Sequence, residues 1–344
     1  MVRKKILIAG AIGVGNIGDE AILAGTLNLL KTNTGIGRDQ IVVFSLNPNE
    51  TINFHGVEAK RRNLLDLLTS SEVIIGGGEL FQNLGNMAIK YSFLSLITKI
   101  FRKHLSFHAI GVSSDLGRLG KILTRFSMNI ADCISVRDPK SKRQLLQLGV
   151  NKPITLIVDP SFSMKSISKE ASRSLLEKEG IRIDSKKIRI ALVSQYFENK
   201  KLNDEIYGFL LDFLKDALVK NPDLQIVFVP FNKHLLIPID SDIIYGKWLE
   251  RKLGTDQFMV LKNNYTPQQM MGILGLMDIV LSTRLHPIIF ATKKNVPAIG
   301  IGVFEKTISF CTEHGIPLVA VNELVKIPHL INDLIEAKRQ ERLA

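Results

Sequence analysis

The sequence predicts an α/β protein of two Rossmann-like, doubly wound parallel-sheet domains facing a cleft, and three observations predict it. Short apolar runs of β type alternate with longer helix-like stretches from end to end. These runs are continuously apolar, the pattern of strands covered on both faces and hence of a parallel sheet. The rhythm stops once, over Asp159 to Ser185, where Pro160, several serines and many charges intervene, and resumes at Ile188. At 344 residues the chain also exceeds one ordinary domain.

Taken in order, the first-half strand candidates are Lys5 to Gly10, Gln40 to Ser45, Glu72 to Ile75, Leu105 to Gly111, Cys133 to Arg137 and Thr155 to Val158. The second-half candidates are Ile188 to Ser194, Gln225 to Pro230, Phe258 to Leu261, Asp278 to Ser282 and Pro297 to Val303. The division that follows is a first domain over 1–165, a linker over 166–185, a second domain over 186–325 and a C-terminal helix over 326–344. Doubly wound sheets bind ligands at the carboxyl ends of their strands, so the cleft is the expected site.

Composition narrows the function classes. Apolar residues are 45% and charged residues 23%, an ordinary globular balance. The run Ile6 to Gly10 after Met1-Val2-Arg3-Lys4-Lys5 is short and ends in a glycine turn, which reads as a first strand and not a signal peptide. No run approaches the ~20 apolar residues of a membrane helix, so a cytoplasmic protein is expected. Cys133 and Cys311 stand in no metal or CxxC spacing and read as buried free thiols, so neither a metal nor a disulfide is implied. A net charge of +12 calls for an anionic partner. The basic residues lack the aromatic interleaving of a single-strand binder, which argues against nucleic acid and leaves a phosphorylated substrate or an anionic membrane surface. Ile89 to Phe107 mixes Lys90, Lys99, Arg102 and Lys103 with Tyr91, Phe93 and Phe101, and reads equally as peripheral membrane contact or as a buried crossover helix.

Three stretches carry chemistry. Gly13, Gly15 and Gly18 satisfy G-x-G-x-x-G between the first strand and a helix, but the second strand ends Phe44-Ser45-Leu46-Asn47 without the acid that holds a nicotinamide ribose. Asp19 and Glu20 put two carboxylates at that helix start, where Asp19 also reads as a cap. Gly76-Gly77-Gly78 closes the third strand and permits close approach of a ligand. Arg284 and His286 follow the strand Asp278 to Ser282, with Pro287 opening a helix, so an oxyanion clamp and an acid/base group sit at one helix N-terminus. Arg137 and Lys306 also follow strand ends and could converge on the same anion.

These stretches together resemble the polysaccharide pyruvyl transferases, including the CsaB-like cell-wall members. Gly15 to Ile22 resembles the family's opening motif, Gly76 to Phe81 its glycine run, and Ser135-Val136-Arg137-Asp138 with Leu148-Gly149-Val150 its middle block. Asp159-Pro160-Ser161-Phe162, Ser282-Thr283-Arg284-Leu285-His286 and Lys306 match its later blocks. The glycine run is commonly a residue longer, and Glu79 stands in that place. The resemblance implies a GT-B-like architecture and ketal formation from phosphoenolpyruvate, a co-substrate, with no cofactor or metal. It implies that Arg284, Arg137 and Lys306 bind phosphoenolpyruvate, that His286 is the acid/base, and that Gly15, Asn16, Asp19, Gly77 and Gly78 belong to the acceptor or phosphate loops. The acceptor would be a glycan or a lipid- or nucleotide-linked sugar. Two other readings share these residues: a GT-B glycosyltransferase using a nucleotide sugar, and a non-catalytic glycan- or phosphate-binding protein.

Overall fold

The computed structural model describes residues 5–81, 87–184, 186–197, 199–233 and 241–343. The chain divides into two compact units, Met1–Val14 with Asp19–Met164, and Gly15–Gly18 with Lys165–Ala344.

The first unit runs β1 (Ile6–Ala9), α1 (Ile17–Thr34), β2 (Ile41–Phe44), α2 (Pro48–His55), β3 (Glu58–Lys60), α3 (Leu64–Thr69) and β4 (Glu72–Gly76). It continues through β5 (Glu79–Phe81), α4 (Met87–Ile100), β6 (His104–Val112), α5 (Arg118–Ile130), β7 (Cys133–Val136), α6 (Pro139–Gln147) and β8 (Thr155–Leu156). The sheet order is β3-β2-β1-β4-β6-β7-β8 with β5 on β6, and these pairings are parallel. Every side chain of β1 and β2 is buried, because the Ile/Val-rich runs face helices on both sides. Leu7, Val42 and Val73 pack into one apolar layer, and Ile6, Ile8, Val43 and Ile74 into the other. Helix starts are set by side-chain caps: Asn47 accepts the Glu50 N–H before Pro48, and Asp138 accepts the Ser141 N–H before Pro139.

The second unit runs α7 (Lys169–Lys178), β9 (Ile188–Val193), α8 (Lys200–Lys220), β10 (Leu224–Phe228), α9 (Asp242–Leu253), β11 (Phe258–Val260) and α10 (Pro267–Leu274). It ends with β12 (Ile279–Ser282), α11 (Leu285–Lys293), β13 (Ala298–Gly302), α12 (Glu305–Glu313), β14 (Leu318–Ala320) and α13 (Ile327–Leu343). Its sheet, β11-β10-β9-β12-β13-β14, is parallel throughout. In both sheets the order reverses beside the first strand, between β1 and β4 and between β9 and β12. Successive crossovers part to opposite faces there and leave a crevice at the carboxyl ends.

The structure revises several sequence expectations. Residues 166–185 do not form a free linker: α7 lies within the second unit, and Glu179 accepts N–H bonds from Lys262 and Asn263 and the Tyr265 hydroxyl at 2.6 Å. Its charged exposed face hides this, since only Ser172 and Leu176 of that helix are buried. α13 likewise packs into the second unit through Ile327, Ile331 and Ile335. β3, β5 and β14, each three residues long, have no counterpart in the sequence reading. Cys133 is exposed, contrary to expectation, as the first residue of β7; Cys311 is buried, which pushes its thiol up to about 11. Among the described residues no helix is long and apolar enough to cross a membrane.

Candidate functional site

In the second unit the reversal point of the sheet gathers the sharpest residues. β12 ends at Ser282, whose hydroxyl accepts the Arg284 N–H at 2.9 Å and donates to the Arg284 carbonyl at 2.9 Å. This local ring holds Arg284 extended (φ −100°, ψ 149°) as the residue before α11, so His286 falls in the first helical turn. The guanidinium Nη2 donates to Asp242 Oδ1 at 2.6 Å. Asp242 has no exposed surface, and its other oxygen accepts the N–H groups of Phe231 and Asn232, each at 2.9 Å.

Burial pushes the Asp242 carboxyl above its usual range, while Arg284 and the two amides pull it back. We take the pair as ionised, since a guanidinium at this distance together with two amide donors favours the carboxylate. The rest of the guanidinium is not used up. Its Nε is buried without a hydrogen-bond partner among the described residues, as is the Thr283 hydroxyl. Buried donors left open in this way are what an incoming phosphate or carboxylate would fill.

The glycine loop after β1 completes this site. Gly15–Gly18 clusters with the second unit: Ile17 N–H donates to the Phe231 carbonyl at 2.9 Å, Lys233 N–H to the Gly15 carbonyl at 3.0 Å, and Asn16 bridges Asn232. Asn16 Oδ1 accepts the Gly18 N–H at 2.9 Å and so caps this turn. Gly18 lies against the imidazole of His286. A Cβ there would sit 2.3 Å from Nδ1, so a glycine is needed for the ring to lie where it does. Lys306 is exposed in the first turn of α12, its ammonium 5.7 Å from the Phe304 ring centre. The neighbouring Thr307 hydroxyl reaches the Thr283 carbonyl at 3.5 Å, which ties that turn to the β12 end.

The remaining predicted residues lie in the first unit. The Arg137 side chain is 7% exposed, and its Nη1 donates to Asp159 Oδ2 at 3.0 Å, an ion pair within the first unit. Gly77 and Gly78 both take left-handed φ, 83° and 80°, and a Cβ on Gly78 would meet Asp19 Oδ1 at 2.6 Å. Glu20, read from the sequence as a second carboxylate at the loop, turns inward. It accepts the Gly13 N–H at 2.7 Å and meets His55 Nε2 at 2.7 Å, so it clamps the loop and faces no ligand. His108 lines a narrow recess with Asp19, Gly76 and Gly77, and its Nε2 is buried with no partner among the described residues. Burial lowers its pKa, against the nearby Asp159.

The sequence reading missed Asp242 and His108. The first is masked as an ordinary helix start and the second lies inside an apolar strand, although a left-handed Ala109 (φ 52°) and a register shift mark the bulge beside it. Among the described residues no group of three or more potential metal ligands clusters.

A model of the polysaccharide pyruvyl transferase family matches residues 16–303. No curated protein matches the chain in sequence. Among solved structures, a UDP-GlcNAc 2-epimerase from Neisseria meningitidis bound to UDP-GlcNAc is similar at 14% identity and TM-score 0.61, over 98% of this chain and 93% of that one. The S. aureus MnaA–UDP structure has 10% identity and TM-score 0.67 over 98% and 89%. The E. coli ADP-heptose lps heptosyltransferase II has 13% identity and TM-score 0.57 over 99% and 100%. At these identities the likeness concerns the fold.

Proposed function

Because this chain belongs to the polysaccharide pyruvyl transferase family, we propose that it moves a pyruvyl group from phosphoenolpyruvate onto a sugar of a cell-surface polysaccharide or its precursor, forming a ketal. The observation that carries the reading is the pairing of Arg284 and His286 at one helix start, with Arg284 Nε buried and open. A passive anion site has no need of an imidazole pressed against the loop beside the cation.

In this reading Arg284 holds the donor phosphate or carboxylate in the ground state, with Lys306 adding charge at the neighbouring helix start. Arg137 contributes the donors that Asp159 leaves free. His286 protonates the donor's methylene carbon, which makes the adjacent carbon oxocarbenium-like. One sugar hydroxyl attacks that carbon, the phosphate ester bond breaks, and a second hydroxyl closes the cyclic ketal. One hydroxyl proton replaces the proton given to the methyl group, and the other leaves with phosphate. Gly15, Asn16, Asp19, Gly77 and Gly78 are assigned to the loops around donor and acceptor. No cofactor is needed by this scheme.

The test is phosphate release from phosphoenolpyruvate against a panel of pyranoside, lipid-linked and nucleotide-linked acceptors. Release that depends on both donor and an acceptor supports the reading. Release with none of them, together with hydrolysis of a nucleotide sugar, would replace it. That second reading has its own support, since the similar solved structures include proteins described with UDP and UDP-GlcNAc.

A further inference from the structure

Two neighbouring helices of the first unit carry an apolar face that the core does not use. On α4, Ile89, Phe93, Leu96 and Ile100 recur at i, i+4, i+7 and i+11 and are exposed, Phe93 to 63%. This spacing places them on one stripe of the helix. On the opposite side of α4 Tyr91 and Leu94 enter the core, while Ser92, flanking the stripe, donates through Oγ to the Leu123 carbonyl at 3.1 Å and accepts from Ser127 Oγ at 2.7 Å. On α5, Leu119, Ile122 and Phe126 repeat the pattern at i, i+3 and i+7, Ile122 being 58% exposed. Two packed helices thus each present an apolar stripe to solvent. Monomeric proteins seldom expose contiguous apolar surface of this kind without a partner.

The charge beside the stripes identifies that partner. Lys90 and Arg102 accompany α4, and Arg118, Lys121 and Arg125 lie along α5; all five are exposed, and none has a carboxylate partner among the described residues. Between Met87 and Ile130 the sequence holds seven Lys or Arg against one acid, Asp115. A second copy of the chain is a poor occupant, because a twofold contact would set these like charges against one another. A nucleic acid would leave Phe93 and Ile122 with nothing apolar to meet. We propose that the α4–α5 face docks on an anionic lipid bilayer, its Phe, Ile and Leu side chains entering the interface while the lysines and arginines meet the headgroups. This does not depend on the reaction assigned above.

The experiment is flotation of the full chain with vesicles of phosphatidylcholine, with and without phosphatidylglycerol as one lipid in three. The wild type floats with the anionic vesicles and less so as salt is raised. Phe93→Ser with Ile122→Ser abolishes flotation. Lys121→Glu with Arg125→Glu weakens it by about fivefold or more per charge lost. Circular dichroism and the thermal midpoint show that the variants stay folded, as they should, since none of these side chains enters the core. No flotation by the wild type, or flotation unchanged in the variants, overturns the proposal. A dimer in solution that the apolar variants turn into monomer, with vesicles never bound, overturns it in favour of a second copy.

Discussion

Gly18→Ala is the most informative single change, because its effect can be worked from distances. An alanine Cβ at position 18 would lie 2.3 Å from His286 Nδ1, 2.8 Å from Cγ and 2.9 Å from Cε1. Unstrained contacts between such atoms are about 3.5–4.0 Å, so the ring must retreat by about 1 Å. Because the clash includes Cγ, a terminal flip of the ring does not relieve it and χ1 must change. Gly18 does not take a left-handed φ, so alanine suits the backbone and the penalty is steric. Overpacking of this kind costs about 1–3 kcal/mol. Displacing a catalytic group by about 1 Å costs on the order of 10²-fold in rate.

The assay is kcat for phosphate release from phosphoenolpyruvate, with donor affinity measured separately by calorimetry. Gly18→Ala should lose about two decades in kcat while binding donor nearly as the wild type does, since Arg284 is untouched. Adding His286→Ala should restore the lost stability, because the Cβ then has room, without restoring rate. Turnover by Gly18→Ala within a few-fold of wild type would show that the position of the imidazole does not matter, and His286 would leave the mechanism.

Asp242→Asn strips Arg284 of its buried countercharge; we expect a loss of about 3–5 kcal/mol in urea unfolding and a raised KM for phosphoenolpyruvate with a smaller change in kcat. Glu20→Gln should weaken the charged bond to the Gly13 N–H and to His55, lowering stability by about 1.5–3 kcal/mol in the same measurement without touching donor binding. Burial raises the Glu179 carboxyl, but the Tyr265 hydroxyl and the Asn263 and Lys262 amides overcome it and hold the folded pKa below the ordinary 4.5. Its contribution is therefore present above about pH 4.5 and lost as pH falls through the folded value, so Glu179→Gln should flatten the acid side of the stability curve of the second unit. Phosphoenolpyruvate should raise the thermal midpoint and NAD should not, given the missing ribose acid after β2; a shift with NAD alone would reverse the assignment.

Much of the molecule is legible from the sequence. The central strands β1, β2 and β12 are apolar runs buried throughout, so their burial on two faces and their parallel pairing follow from composition and period without any contact being known. The Arg284 and His286 positions follow just as directly, because a strand end, a proline and a helix period fix the residues that open a helix.

What escaped is whatever depends on a partner distant in the chain. Asp242 stands 42 positions from Arg284, and no local pattern announces that its carboxylate is sealed under two amides and a guanidinium. Glu20 and His55 are 35 apart, and only the fold turns a loop carboxylate inward to hold Gly13. α7 shows a charged face that reads as a linker, yet Glu179 bonds residues more than eighty positions later. The α4 stripe is visible in the sequence as part of the basic apolar run Ile89 to Phe107, whereas that of α5 is not. Which side of each helix enters the core is set by neighbours, and only the packed structure shows that Phe93 and Ile122 are left outside. Periodicity is a property of the chain, whereas satisfaction of a buried charge or an apolar face is a property of the space around it.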